Sequence, residues 1–346
     1  MSDSVLCNNP HVRNAWHAVA REIDVAGSPV GATLLGTKIV LWRAPDGDVV
    51  AAPDRCPHRE APLSLGEVQH GCLVCPYHGW TFGDHGRCVS VPSATEGVPP
   101  PPRAHLSTYQ SATRYGLVWV CLGEPAAPIP DIAEDDDPAY RRINTDVEVW
   151  ATSATRMTDN FLDITHFPFV HIGTFGRAQD THVPKVDLVD LDEHWFGYRY
   201  EVRANNSELG SLASGQQSDV VERAMTTGFN LPFNVRSTIH YGTGLSHILL
   251  LLSTPIDDVT SYFTFVVWRN DDFSVSAEEI IRFDLAIGAE DKRMLERLDG
   301  VLPLDQTTLV SVQADKCSVE WRRRLVQAML WSDRQANEPT TTMREH

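Results

Sequence analysis

The chain has 346 residues, of which 42% are hydrophobic and 22% charged, so it is long enough for two domains with buried cores. Its formal net charge of −17 argues against nucleic acid or an anionic membrane as partner. No run approaches the ~20 apolar residues of a membrane span, and the first residues do not resemble a signal peptide. Seven cysteines at irregular spacing argue against a secreted disulfide framework. We therefore expect a cytoplasmic protein.

The first part of the chain predicts short β-strands separated by turns. Strands are expected at 38–42 and 49–52, a hairpin between 63–66 and 73–74, and a buried strand at 115–122. Frequent glycines punctuate this part of the chain, as small β domains require. A four-proline run at 99–102 predicts a stiff connector. Further prolines between 125 and 130 and an acidic run at 134–137 mark a domain boundary.

Two segments of this β-rich region each carry one cysteine and one histidine. Cys56 and His58 form a C-x-H pair, and Cys75 and His78 form a C-x-x-H pair further along the chain. In a Rieske [2Fe–2S] centre, two cysteines hold one iron and two histidines hold the other. A structural zinc site accepts the same residue types, but its usual order places two cysteines before two histidines. The alternating order therefore favours the Rieske cluster over zinc.

The second part of the chain predicts an antiparallel sheet and long helices. A helix is expected over 154–166, and strands are expected at 195–202, 235–241, 247–254 and 261–269. Ser276 is expected to cap a helix that runs to about Asp299, because acidic residues follow in its first turn. A last helix is expected at about 317–331.

A second set of metal-binding residue types lies in the segment 159–171. On the helix expected there, Asn160, Asp163 and His166 share one face. Pro168 is expected to interrupt this helix, so that His171 folds back beside His166. Two histidines and one carboxylate bind the iron of mononuclear Fe(II) oxygenases. Such a pair of histidines is modest evidence alone, but an upstream cluster that supplies electrons favours a metal site.

The third ligand is expected to be a carboxylate of the long helix that begins at Ser276. Asp284 and Asp291 are seven residues apart and therefore share a face, and the pattern leaves the choice between them open. Five carboxylates of this helix are candidates for the ligand, and most of the five are expected to face solvent: Asp284, Glu290, Asp291, Glu296 and Asp299.

Together these residues resemble the oxygenase (α) component of the Rieske non-heme iron oxygenases. The resemblance runs from residues 14–17 through both Cys/His motifs and residues 160–171 to residues 289–292 and the C-terminal helix. It implies an α+β fold, in which a small all-β Rieske domain accompanies a helix-grip (START-like) catalytic domain with a curved antiparallel sheet and a long C-terminal helix. The implied parts are an N-terminal segment packing on the catalytic domain (1–37), the Rieske domain (38–124), a linker (125–140) and the catalytic domain (141–346).

The resemblance also implies the roles of the site residues. Four would hold the [2Fe–2S] cluster: Cys56, His58, Cys75 and His78. Three would hold a mononuclear Fe(II): His166, His171 and Asp291. The family places its carboxylate ligand in an acidic-Asp pair upstream of Leu-Glu, which selects Asp291 over Asp284. Asp163 would link His78 of one subunit to His166 of the next, which implies a head-to-tail homotrimer.

The implied function is that of the terminal oxygenase of a multicomponent system. Electrons from NAD(P)H would arrive through a separate ferredoxin or flavin reductase. With O2, they would hydroxylate or oxidatively demethylate a small aromatic, heterocyclic or other cyclic substrate. The short chain resembles the monooxygenase and demethylase branch, and a ring cis-dihydroxylating dioxygenase is the alternative. A Rieske electron-transfer protein without an active iron site is the alternative from a different class.

Overall fold

The computed structural model describes residues 4–337, and its first part is built from short antiparallel strands. Strands at 38–42 and 49–52 are confirmed as β3 and β4. Between residues 4 and 121 the structure contains one short α-helix and ten strands, besides 3-10 turns: α1 (Pro10–Arg13), β1 (His17–Arg21), β2 (Val30–Leu34), β3 (Thr37–Arg43), β4 (Val49–Pro53), β5 (Glu67–Gln69), β6 (Cys72–Val74), β7 (Thr81–Phe82), β8 (Cys88–Ser90), β9 (Gln110–Arg114) and β10 (Leu117–Cys121).

These ten strands form three antiparallel sheets. Their orders are β1-β10-β9, β2-β3-β4 and β5-β6-β7-β8. The predicted hairpin at 63–74 is wrong in its first strand, because Leu63–Leu65 is a 3-10 turn and β5 pairs with β6 instead. The two-residue turn between β5 and β6 sets this register. Both of its residues, His70 and Gly71, have positive φ, which matches the twist of a hairpin.

The second part of the chain forms an eight-stranded antiparallel sheet with helices, as predicted. The sheet order is β11-β18-β17-β16-β15-β14-β13, and β12 also pairs with β18. From residue 141 to residue 337 the elements are β11 (Arg141–Asn144), β12 (Glu148–Trp150), α2 (Ala154–Phe161), α3 (Phe167–Val170), β13 (Val189–Asp190), β14 (Phe196–Asn205), α4 (Glu208–Ser214), β15 (Val220–Asn230), β16 (Asn234–Tyr241), β17 (Ser246–Pro255), β18 (Ser261–Arg269), α5 (Ala277–Leu295) and α6 (Lys316–Asn337).

Helix α5 packs one face against this sheet. Its Ile280 and Leu295 lie in a buried cluster with Phe263 and Phe265 of β18. Ser276 caps the helix as predicted, since its hydroxyl accepts a hydrogen bond from the backbone N–H of Glu279 at 3.2 Å. The helix ends at Leu295, before the predicted Asp299. Within the described residues, none of the helices combines the length and the apolar character needed to cross a membrane.

The helix predicted over 154–166 is shorter than expected. Helix α2 ends at Phe161, and Asp163 lies in the following turn. The Asp163 carboxylate accepts hydrogen bonds from the backbone N–H groups of Thr165 (2.8 Å) and His166 (3.1 Å), a local pairing that competes with helix formation. Pro168 stands in the first turn of α3, where a missing N–H costs nothing. The proline therefore begins a new helix and does not interrupt an old one.

Candidate metal centres and substrate cavity

The two Cys/His segments fold into loops with the same backbone hydrogen bond. In each loop the fourth residue after the cysteine donates its N–H to the cysteine carbonyl: Glu60 to Cys56 at 2.9 Å, and Gly79 to Cys75 at 3.1 Å. Both donors adopt the left-handed conformation, with φ of 60° for Glu60 and 70° for Gly79. The two segments are thus equivalent turns, each beginning at a cysteine and carrying its histidine inside the turn.

The side chains of these loops fit a cluster held between them. Cys56 and Cys75 are buried, and the His58 and His78 rings lie with centroids 4.5 Å apart. His58 stacks on Trp80, and its Nδ1 is buried without a hydrogen-bond partner. Burial raises the pKa of the Cys56 thiol to about 11, so its thiolate needs a cation beside it. Buried thiols and an unpartnered imidazole nitrogen form the donor set that a Rieske cluster requires.

His166, His171 and Asp291 bring three potential ligand atoms together. The Nε2 atoms of the two histidines are 3.1 Å apart. Asp291 Oδ1 lies 3.5 Å from His166 Nε2 and 3.4 Å from His171 Nε2. In the part of the chain that the structure describes, these residues form the group of three whose ligand atoms all lie within 4.8 Å of one another. Two imidazoles and one carboxylate so arranged fit a single Fe(II) and leave its other positions open.

A carboxylate orients each of these histidines through the ring nitrogen Nδ1, on the side opposite the paired Nε2 atoms. His166 Nδ1 lies 2.9 Å from Asp163 Oδ2, and His171 Nδ1 lies 3.1 Å from Glu290 Oε2. A neutral imidazole with a carboxylate at Nδ1 carries its hydrogen there and keeps the Nε2 lone pair for a metal. Burial lowers the pKa of His166, but its hydrogen bonds with Asp163 and Asp291 raise it to about 9. A metal ion must therefore displace a proton to bind.

Comparison with known proteins places the chain in one family. Residues 15–110 match the Rieske [2Fe-2S] domain, and residues 150–330 match the vanillate O-demethylase oxygenase C-terminal domain. The chain is 30% identical over 325 residues to methylxanthine N1-demethylase NdmA of Pseudomonas putida, covering 91% of this chain and 88% of the relative. The chain belongs to the Rieske non-heme iron oxygenases.

Further likenesses extend over almost the whole oxygenase. The vanillate O-demethylase oxygenase subunit of a Pseudomonas species is 28% identical, over 94% of this chain and 96% of the relative. The structure of NdmA of Pseudomonas putida CBB5 with caffeine matches with a TM-score of 0.77 and 28% identity, over 93% of this chain and 95% of that one. These matches confirm the predicted family, the α+β fold, the enzyme class and the Rieske and iron cofactors.

The five candidate carboxylates of α5 and the residues after it lie in different surroundings. The expectation that most face solvent is wrong, because Asp284, Glu290 and Asp291 are buried against the sheet and the α3 segment. Asp284 lies apart from the histidine pair, with Oδ2 3.3 Å from His247 Nε2. Glu296 is exposed and accepts a hydrogen bond from a backbone N–H at 3.0 Å, and Asp299 is exposed.

Two residues that support the site were not assigned this role from the sequence. Glu290 was considered only as a possible ligand, yet it holds His171. Asn160 was placed on the face of the expected helix, and its side-chain amide donates to Asp291 Oδ1 at 3.0 Å. The position of Glu290 next to Asp291 was the sequence signal for a role at the site. Its partner His171 lies far away in the chain, so the sequence did not indicate that Glu290 positions a histidine.

A cavity opens from the histidine pair between the sheet and α5 of the oxygenase. Besides two tyrosines, three acidic or basic side chains reach it away from the histidine pair: Arg223 of β15, His247 of β17 and Asp284 of α5. The walls are mostly aromatic and aliphatic: Phe175, Ile239, Leu249, Leu251, Phe263 and Phe265. An apolar cavity with a few polar groups is typical of a small-molecule site.

Proposed function

We propose that this terminal oxygenase oxidatively demethylates, or hydroxylates, a small aromatic or heterocyclic substrate in the cavity. The observation that carries the proposal is the position of His166, His171 and Asp291 at one end of a largely apolar cavity. The names of the relatives support demethylation, since they include methylxanthine N1- and N3-demethylases and vanillate O-demethylase. Electrons would come from NAD(P)H through a separate ferredoxin, flavin reductase or both.

The geometry of the two Cys/His loops and of the histidine pair supports the proposed ligands. The cluster would be held by the four loop residues: Cys56, His58, Cys75 and His78. The mononuclear iron would be held by Nε2 of His166, Nε2 of His171 and a carboxylate oxygen of Asp291. When bound, such an iron activates O2 with electrons that the cluster delivers. Hydroxylation of a substrate methyl group on oxygen or nitrogen would give an unstable product that releases formaldehyde.

We also propose that Asp163 connects two subunits of a homotrimer. Asp163 holds His166 and lines a surface depression together with Arg156 and Thr165. His78 lies on the exposed side of its loop, next to the exposed Tyr77. A cluster histidine exposed on one subunit could therefore reach the carboxylate behind the iron of the next, which supports electron transfer across a head-to-tail interface.

Metal analysis of two variants tests the iron site. Asp291→Ala is expected to keep the visible spectrum and both irons of the cluster but to lose the third iron, because one of its three protein ligands is gone. Asp284→Ala, from the same helix face, is the matched control and is expected to keep all the iron. Retention of the third iron in Asp291→Ala would move the ligand to Asp284 or Glu290.

Product analysis tests the reaction. Methylated aromatic and heterocyclic compounds are supplied with a surrogate ferredoxin and reductase, and products are identified by mass spectrometry. Formaldehyde release indicates demethylation, and a product with one added oxygen indicates hydroxylation. A cis-diol product would instead identify the oxygenase as a ring dioxygenase.

A further inference from the structure

We propose that the substrate carries an anionic oxygen group, a carboxylate or a sulfonate, on its ring, and that Arg223 binds this group inside the cavity. The inference rests on the proposed function, because it takes the cavity beside the histidine pair as the substrate site. It adds the chemical class of the substrate and the residue that selects it.

Arg223 is placed in the cavity by the alternation of its strand. Val221, Arg223 and Met225 are buried on one face of β15, while Glu222 and Ala224 between them are exposed on the other. The Arg223 side chain is only 2% exposed and belongs to the cavity wall. An arginine on the inner face of a central strand is unusual, because charged side chains are rarely fully buried without a partner.

The guanidinium of Arg223 has no partner in the described part of the protein. Its Nε and Nη2 atoms are buried and form no hydrogen bond, and no described carboxylate oxygen lies within 4.0 Å of it. Its neighbours are rings, with Cζ 5.3 Å from the Phe175 centroid, 5.6 Å from Tyr241 and 5.7 Å from Phe283. Ring faces attract a cation, but they do not replace the oxygen acceptors that guanidinium N–H groups require.

The other charged groups of the cavity lie beside polar or charged neighbours. Away from the histidine pair, Asp284 Oδ2 lies 3.3 Å from His247 Nε2, although neither atom forms a hydrogen bond. The other ring nitrogen of His247 meets Arg269, which pairs with Asp271, and Asp271 also pairs with Arg141. On the side of the histidine pair, Asp163 is held by His166 and Asp291 by Asn160. Arg223 is the arginine of the cavity wall, and no described carboxylate oxygen pairs with it, so an anion that enters with the substrate would stabilise its buried charge.

The distances suit a substrate with one ring. Phe175 contacts Arg223 and also stacks on His171, with centroids 4.9 Å apart. One aromatic residue therefore contacts both the guanidinium and a histidine of the pair. A ring whose anionic group binds Arg223 would lie in the cavity that His166 and His171 also line. The planar guanidinium can form two parallel hydrogen bonds to a carboxylate, which would fix the orientation of the ring.

Binding measured without turnover tests the inference. The iron-loaded oxygenase, without reductase, is titrated by calorimetry with para-methoxybenzoate, para-methoxybenzenesulfonate and the neutral para-methoxybenzamide. The wild-type protein is expected to bind at least one acid more tightly than the amide. Arg223→Met is expected to weaken the binding of that acid roughly 10- to 100-fold and to leave the affinity for the amide nearly unchanged. The affinity of Arg223→Lys for that acid is expected to lie between those of wild type and Arg223→Met, because lysine keeps the positive charge but cannot form two parallel hydrogen bonds to a carboxylate.

Arg236→Met is the matched control. Arg236 lies on the neighbouring strand β16 and pairs with Asp192 at 2.6 Å, away from the cavity, so its loss is expected to leave all three affinities unchanged. The proposal is wrong if the wild-type protein binds neither acid more tightly than the amide, or if Arg223→Met binds the acids as wild type does. An equal loss of acids and amide in both Arg223 variants would assign the residue to holding the surrounding rings.

The result can be separated from the proposed function. Iron analysis of the same samples reports whether the mononuclear site is occupied, and product analysis reports whether oxygen is inserted. An occupied site and an oxygenated product without an acid preference would refute the role of Arg223 alone.

Discussion

Adjacent carboxylates at the metal centre differ in the atoms that they contact. Glu290 Oε2 receives hydrogen bonds from His171 and from the Thr174 hydroxyl at 2.7 Å, and its Oε1 receives the Gly173 N–H at 3.0 Å. A Cβ at Gly173 would lie 2.5 Å from Oε1, so any side chain there would push the Glu290 carboxylate from this position. Glu290 is thus fully engaged in positioning His171, and Asp291 is the carboxylate left to face both Nε2 atoms.

At the residue scale, His17 predicts a dependence of stability on pH. The buried His17 ring bonds through Nε2 to the Val12 carbonyl at 2.8 Å, and burial lowers its pKa to about 4. Between about pH 6.5 and pH 4 the unfolded chain therefore binds a proton that the folded chain does not, so stability falls as pH falls. From pH 7.5 to 5.5 wild type should lose about 1 kcal/mol from this group.

The His17→Gln variant isolates this contribution. Glutamine can still donate to the Val12 carbonyl but does not titrate, so its unfolding free energy should fall less between the two pH values. The measurement is urea unfolding at each pH. Replacement of the exposed His182 by glutamine is the control and should keep the wild-type dependence. If wild type and His17→Gln lose the same free energy, His17 is not buried in its neutral form.

At the element scale, helix α5 links the stability of the fold to the site. It carries Asp284, Glu290 and Asp291 on the face that packs toward the sheet. Its start was predictable because capping is local: Ser276 and Glu279 are three residues apart, and they hydrogen-bond to each other. The end of helix α2 was not predicted, since it depends on the Asp163 side chain closing a turn onto Thr165 and His166.

Removal of the α5 cap tests this link. Ser276→Ala leaves the Glu279 N–H without its acceptor and is expected to lower the unfolding free energy by about 1 kcal/mol. Ser276→Asp should restore stability, because aspartate also accepts this hydrogen bond and suits the helix N-terminus. Thermal and urea unfolding measure the effect. Equal stability of the alanine and wild-type proteins would show that the helix start is held by packing alone.

At the scale of the whole molecule, the exposed position of His78 and the reach of Asp163 to the surface predict electron transfer between subunits. Co-expression of two inactive variants tests this. His58→Ala chains would lack the cluster, and His171→Ala chains would lack the mononuclear iron. In the proposed head-to-tail trimer, an intact cluster on one chain would supply the intact iron of its neighbour, which should recover about a quarter of wild-type turnover when chains mix randomly.

The controls define the outcome. Each variant expressed alone, and a chain carrying both substitutions, should be inactive in reductase-driven turnover. A mixture containing Asp163→Asn in the His58→Ala chain should also be inactive, because the carboxylate behind the remaining iron is lost. Mixed trimers without activity would show that electrons travel inside one subunit.

The amino-acid sequence by itself determined the family, the cluster motif, the two histidines near position 170 and four of the eight strands of the large sheet. These features depend on residue type and short spacing, which a linear pattern contains. The residue pattern left Asp291 and Asp284 open, because seven residues along a helix put both on one face, and the family resemblance favoured Asp291. The tertiary structure brings Asp291 to both Nε2 atoms and Asp284 to His247. It alone placed Arg223 beside Phe175 and showed the guanidinium unpaired, since that environment is formed by strands and helices distant in the chain.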